Sequence, residues 1–367
     1  MSVPEKLKIL RDQFDSAGID AIWIFNPDNR RYFSDFKAED LIWGETSGSL
    51  FISRTNSILL TDSRYETEAK EQAGEYEISV YREDVIAGLL SIAEREHIRK
   101  LGFEENNISW GLYHKLFRGI SEAAKSIELI PAEGIAEKMR IIKDADEIHI
   151  MEKSADAVSF IIDTVIGELK PGVSELEIAR RTRFLAEEAG AERLAFPSIV
   201  ASGPNAALPH ASPAGRLIMK GDPVTIDIGI KLEGYCSDIT RTVFIGEPSV
   251  ELKNIYNVVR KAQLAGIAAV LPDVESSYPD MIAREIIKDS GYGSYFGHGL
   301  GHGVGIAVHE APRLAPKQTT MLKEGMVVTV EPGIYIPGLG GVRLEETIVV
   351  EKDRPRVLTK SNAYYNF

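Results

Sequence analysis

Cysteine is almost missing from this chain of 367 residues: there is one, Cys236. A single thiol excludes an internal disulfide framework and any zinc site built from several cysteines. Positive charge is in deficit, with 42 Lys and Arg against 55 Asp and Glu and a net charge of -13. Nucleic acids and anionic membranes select for clustered positive charge, so the balance argues against both as partners. Long hydrophobic runs are also lacking. The longest, Leu264 to Leu271, ends at Pro272, far short of the ~20 residues that span a bilayer. Residues 1–17 carry charge throughout and lack the apolar segment of a signal peptide. The expectation is a soluble protein of a reducing, cytoplasmic compartment. No Gly-Lys-Ser/Thr phosphate loop, no Gly-x-Gly-x-x-Gly fingerprint and no Gly-x-Ser-x-Gly elbow occurs. His309-Glu310 lacks the second histidine of a zinc-binding helix. Nucleotide hydrolysis, hydride transfer and serine hydrolase chemistry therefore have no support.

What is present is ordinary for a folded enzyme: 44% hydrophobic and 26% charged residues. In the first hundred residues, helical and extended patterns alternate. Residues 6–17 read as an amphipathic helix, 19–25 as a strand, and Asn26-Pro27-Asp28 as a turn. Segments 50–52 and 57–61 read as paired strands, 84–96 and 112–124 as helices, and 100–103 as a strand. This fits a small α/β domain over residues 1–127, with a second domain over 128–367. In the second, one long helix is expected over 136–168. Ser174 with Glu177 reads as a capping box opening another helix. The rest is β-rich, apart from helices over 250–270 and 278–290. Strands and helices segregate there, so the overall class is α+β.

Carboxylates stand where strands should be apolar. In Val224-Thr-Ile-Asp-Ile-Gly-Ile230, alternation puts four aliphatics on one face and Asp227 on the other. Cys236-Ser-Asp-Ile-Thr-Arg-Thr242 follows, with Asp238, Thr240 and Thr242 on one face. A two-residue loop at Leu232-Glu233 would set Asp227 directly opposite Asp238, about 5 Å apart. Like charges so close are destabilising unless a cation lies between them. Cys236 shares that face and reads as a small buried hydrophobe.

Histidines and glutamates extend the pattern. Phe296-Gly-His-Gly-Leu-Gly-His-Gly-Val-Gly305 carries His298 and His302, and His309 follows. Glycine lets backbone approach closely and leaves imidazoles unshielded. His97, His114 and His149 lie in ordinary contexts. Glu331 ends the apolar segment Val327–Val330, and Glu345 returns after a turn near Pro337, so the two could pair across a short odd-length loop. Glu346 is offset by one residue and faces the other way. Oxygen donors with an imidazole suit Mn, Co, Zn or Fe. Four carboxylates carry more charge than one divalent ion needs, which favours two ions.

The set IDIG, SDITRT, GHGLGHGVG with HE, EPGIY and GVRLEE resembles the pita-bread metallopeptidases, whose members include methionine aminopeptidase, Xaa-Pro aminopeptidase, prolidase and creatinase. Arg31-Tyr-Phe-Ser-Asp-Phe36 and Asp62-Ser-Arg-Tyr65 extend the resemblance to a creatinase-like N-terminal domain. The resemblance implies that Asp227, Asp238, His302, Glu331 and Glu345 ligate two divalent metal ions, with Asp238 and Glu345 bridging. It implies that His210, His298 and His309 bind substrate and stabilise the transition state. A hydroxide shared by the metals would attack the scissile carbonyl, with Glu331 moving the proton and His309 donating to the oxyanion. Creatinase lacks these ligands and methionine aminopeptidase lacks the N-terminal domain, which leaves the proline-specific branch. Arg313 matches a prolidase position that binds the substrate's C-terminal carboxylate. Arg343 would order the Glu345 region. The implied activity is cleavage of Xaa-Pro dipeptides by a homodimer in which one N-terminal domain helps cover the partner's site. The alternatives are an Xaa-Pro aminopeptidase acting on longer peptides and a non-catalytic binding protein of the same fold.

Overall fold

The computed structural model describes residues 1–40, 46–82, 84–123, 126–132 and 134–367. Two compact units divide between Arg140 and Ile141. The first is built on a six-stranded sheet. Its central strand, Ala21–Ile24, runs antiparallel to Ser49–Ser53 and parallel to Lys100–Phe103. Trp23, Phe51, Leu89, Leu101 and Leu116 are buried between this sheet and the helices Val85–Arg95 and Trp110–Glu122. The sequence boundary between 127 and 128 comes too early. Glu128–Pro131 pairs in parallel with Lys100–Phe103 and completes the first unit's sheet. The expected end of the 112–124 helix, at Ala124, lies outside the described residues.

Two sequence expectations change for reasons of helix capping. Asn26-Pro27-Asp28 is the start of a helix, Pro27–Ser34, as well as a turn. The Asn26 side chain accepts from the backbone N–H of Asp28 and Asn29, and Pro27 takes the first position, where no N–H is needed. The long helix over 136–168 is two helices, Ile135–Arg140 and Ala145–Glu168. Asp144 and Glu147 form a capping box that restarts the chain after the break. Apolar periodicity continues through that break and hides it. The Ser174–Glu177 capping box opens Glu175–Glu188 as expected.

Among the described residues, the second unit has two large apolar cores and a small cluster of Ile199, Ala201, Ala206 and Ala211. Helices Ala145–Glu168 and Glu175–Glu188 cover Ile226, Ile228 and Ile230, all fully buried. Each such aliphatic contributes about 1.5–3 kcal/mol. Helices Val250–Ala268 and Ser277–Asp289 pack with Val328, Val330, Ile348 and Leu300 in the other. Pro223–Ile228 is the middle strand of a three-stranded sheet, between Ile199–Ser202 and Ile239–Phe244. A five-stranded sheet includes Gly301–Gly303, Val327–Val330 and Glu346–Val349.

The first hairpin turns one residue later than expected. Leu232 pairs with Tyr235, so the turn residues are Glu233 and Gly234. Both have positive φ, 47° and 90°, as the tight hairpin turn matched to strand twist requires. Asp227 therefore faces Thr240 rather than Asp238. The partner position moves by two, so alternation is preserved and both aspartates stay on one face, diagonal to each other. The second hairpin keeps one register throughout. Val330 pairs with Glu346 and Gly333 with Arg343. Glu331 and Glu345 fall at facing positions where the ladder is interrupted.

Candidate metal centre

The strand Pro223–Ile228 brings Asp227 to the centre, and Asp238 sits at the entry to Ile239–Phe244. Between them, Gly229 is a steric requirement: a Cβ there would stand 2.3 Å from the Ser237 carbonyl oxygen. Gly301 plays the same part for the histidine strand, since its Cβ would lie 2.0 Å from the Thr329 carbonyl oxygen. That close approach brings His302 against the end of Val327–Val330. His302 Nε2 lies 3.4 Å from Glu331 Oε1 and 3.7 Å from Asp238 Oδ2. One donor atom each from Asp238, His302 and Glu345 lies within 4.8 Å of the others.

The surroundings fix these groups. Thr240 Oγ1 donates to Glu345 Oε2 at 2.7 Å. Thr329 Oγ1 donates to Glu331 Oε1 at 3.3 Å and accepts from the His302 backbone N–H at 3.1 Å. Arg343 Nη2 donates to Asp227 Oδ2 at 2.7 Å, and its Nη1 donates to Tyr335 at 2.9 Å and to the Pro209 carbonyl at 3.1 Å. Tyr335 in turn lies 3.0 Å from His298 Nε2. The backbone oxygen of Gly303 can only accept, so His302 Nδ1 carries the proton at 3.1 Å. The Nε2 lone pair then faces carboxylate oxygens.

Burial sets the electrostatics. It pushes the Glu331 carboxyl up to about 8 and the Asp238 and Glu345 carboxyls well above the usual range, and the neighbouring acids add to each shift. It also lowers His302 and His298 to about 4. His309 is lowered by burial and then by Arg313. Asp227 Oδ1 is buried with no hydrogen-bond partner among the described residues. An orphaned carboxylate oxygen, an unprotonated imidazole nitrogen aimed at acids, and carboxyls forced toward neutrality all fit divalent cations. Four acids and one imidazole suit two such ions.

Residues 149–352 match metallopeptidase family M24, and residues 6–142 match the creatinase/prolidase N-terminal domain. The chain belongs to metallopeptidase family M24. A curated M24-type relative, the Xaa-Pro dipeptidase of Pyrococcus furiosus, is 36% identical over 97% of this chain and 98% of its own. The solved Xaa-Pro dipeptidase from Bacillus anthracis is 40% identical, with a TM-score of 0.91 over 98% of each chain. The X-Pro aminopeptidase from Thermotoga maritima is 33% identical, with a TM-score of 0.85 over 95% of this chain and 97% of that one. The fold is therefore the pita-bread fold.

Around this M24 centre, His309 packs edge-on to His302, with ring centroids 4.3 Å apart. His210 is exposed, and it lies close enough to His298 and His309 to disfavour the protonated form of each. Arg313 is exposed and directly opposite His302 in the register. Glu346 points away, to Arg241, Thr359 and Tyr364. Cys236 is buried, with Sγ 3.4 Å from the Ile306 carbonyl. Arg343 reaches the Glu345 region as expected, its Nε donating to Thr240 Oγ1 at 3.3 Å, and it also forms an ion pair with Asp227. Sequence reasoning assigned no role to Tyr335, Thr240 or Thr329. Each lies an even number of residues from a ligand candidate on its own strand or hairpin arm, so alternation was the available signal.

Proposed function

We propose that this M24 peptidase is a dinuclear-metal Xaa-Pro dipeptidase. The observation that carries the reading is the buried convergence of Asp238, His302 and Glu345, on a chain so close to dipeptidases along its whole length. Asp227, Asp238, His302, Glu331 and Glu345 would hold two divalent cations, Mn or Co in preference to Zn or Fe. The family resemblance implies that Asp238 and Glu345 would be shared. When bound, the cations polarise a peptide carbonyl and lower the pKa of water.

The protein's own groups supply the rest. Glu331, 3.4 Å from His302 Nε2, would take the proton from the attacking water and pass it toward the leaving nitrogen. His309, neutral and beside His302, donates to the oxygen that becomes negative. His298 and His210 line the substrate subsite. Arg313 takes the substrate's C-terminal carboxylate, a geometry suited to guanidinium. A prolyl nitrogen has no N–H, so a pocket offering no acceptor there selects it. The proposed assembly is a homodimer, and a single buried cysteine suits a reducing compartment. No described helix is long and apolar enough to cross a membrane.

Xaa-Pro aminopeptidase activity is the second reading, favoured by the Thermotoga neighbour and by the exposure of Arg313. The test uses chelator-stripped protein reloaded with Mn, Co or Zn. Proline release from Ala-Pro and alanine release from Ala-Pro-Ala are followed side by side. Turnover of the dipeptide alone establishes the first reading, and Arg313→Ala should then raise its KM. Preference for the tripeptide establishes the second. Inactivity on both with every metal overturns both and leaves a binding protein.

A further inference from the structure

The loop that carries His210 is held by a buried carboxylate outside the metal cluster. Glu175 opens the helix Glu175–Glu188 and is fully buried. Its Oε1 accepts from the Ser202 backbone N–H and the Ser202 hydroxyl, both at 2.7 Å, and from Asn205 Nδ2 at 3.1 Å. Its Oε2 accepts from the Ala214 backbone N–H at 3.0 Å. Ser202 and Asn205 stand where the chain leaves the strand Ile199–Ser202 for the loop, and Ala214 stands where it returns. One side chain therefore ties both limbs of the segment that presents His210.

The backbone at the same helix start reinforces the return limb. The Leu176 N–H donates to the Ala214 carbonyl and the Glu175 N–H to the Arg216 carbonyl, both at 3.1 Å. Arg216 then reaches back to Ser202 Oγ at 2.5 Å and pairs with Asp222 at 2.6 Å. At the tip, Pro209 gives its carbonyl to Arg343, the partner of Asp227. The loop is thus fixed at its base by Glu175 and at its tip by the arginine of the metal centre.

We infer that Glu175 is a positioning residue for substrate binding, acting through the Ser202–Ala214 loop to set the place of His210. This rests on the reading of His210 as a substrate-contacting group. No charged group is asked to titrate. The role is geometric, because four donors from three places converge on two oxygens. An amide in place of the carboxylate keeps the shape but turns a donor toward donors, so one limb must lose its tie. A loop displaced by about 1 Å is enough to weaken a positioned contact tenfold or more.

The experiment is a double-substitution cycle on the metal-loaded enzyme, Glu175→Gln with His210→Ala. Glu175→Gln should raise KM for Ala-Pro about tenfold, with kcat little changed, metal stoichiometry near that of the parent and an unfolding temperature modestly lowered by the unsatisfied buried donor. In the His210→Ala background the same substitution should have almost no further effect on KM. A full, additive effect in that background overturns the inference, as does a folded Glu175→Gln enzyme with unchanged KM while His210→Ala is impaired. If His210→Ala alone leaves KM and kcat untouched, the substrate role of His210 fails first, and that outcome is separately visible. Should Glu175→Gln fail to fold, Asn205→Ala cuts a single tie on the outgoing limb. It should give a smaller KM rise that also vanishes in the His210→Ala background, and additivity there would again overturn the inference.

Discussion

Glu345 condenses the conflict built into this centre. Its carboxyl is buried, raised well above the usual range by that burial and by Glu331 and Asp227, and steadied by one hydrogen bond from Thr240. Such a group opposes folding without a cation and is repaid with one. Glu345→Gln keeps the shape and the Thr240 contact but removes the charge. The metal-free variant should unfold at a higher temperature than the metal-free parent at pH 8, while the metal-loaded variant unfolds lower than the loaded parent. Proline release from Ala-Pro should fall by roughly a thousandfold, the scale of losing several kcal/mol of metal-assisted stabilisation. Calorimetric unfolding and metal analysis of the four samples check this. A variant that binds two ions with parental affinity would remove Glu345 from the ligand set. The ligand candidates were legible because a charge in an apolar strand is an anomaly that needs a reason. The threonines, Tyr335 and the pairing of Arg343 with Asp227 were not, because each is unexceptional in a strand and gains meaning only from what faces it.

At the scale of elements, the centre depends on strands crossing more closely than side chains allow. Gly229 and Gly301 are the crossing points, and the nearest atom each Cβ would meet is a backbone carbonyl oxygen, which cannot swing aside. Gly229→Ala should therefore separate the arms that carry Asp227 and Asp238. We expect a loss of about 1–3 kcal/mol of stability, the usual penalty for overpacking, together with a weaker metal affinity. Urea unfolding of metal-free protein and titration with Mn measure the two effects. An alanine variant with both values unchanged would show that the hairpin accommodates the methyl group. Most elements of this architecture could be read from period and capping residues, including the Ser174–Glu177 helix start. What could not be read was register. Glu233-Gly234 and Leu232-Glu233 are both plausible two-residue turns by length, and only the two positive φ angles decide between them. The error was harmless to the site because strand alternation tolerates a shift of two positions. The break before Asp144 was hidden for the opposite reason, since apolar spacing continued across it while the capping box lay in the charged residues.

For the whole molecule, the buried acids couple stability to pH and to metal together. Glu331 titrates at about 8 in the folded chain, and Asp238 and Glu345 are raised well above their ordinary values. In the unfolded chain all three ionise near pH 4. Above about pH 7.5 the histidines drop out of the balance, because His298 and His302, lowered to about 4, and His309, lowered in the same direction, are neutral when folded and almost wholly neutral when unfolded. Between about pH 7.5 and 8.5 the metal-free folded state therefore binds more protons than the unfolded state. Its stability must fall as pH rises, by as much as about 1.4 kcal/mol per pH unit for each proton retained. Bound cations displace those protons, so the loaded protein should show a flatter profile, and metal affinity should rise with pH. Glu104 complicates either curve alone, since burial lifts its carboxyl to about 7 beside Asn26 and Asn29. It lies in the first unit, apart from the metal cluster, so its contribution should cancel in the difference. The gap in unfolding free energy between Mn-loaded and chelator-treated protein, taken at fixed free Mn, should widen from pH 6.5 to pH 8. A constant gap would mean that the carboxylates keep no protons when metal leaves, and that the cluster opens to water instead.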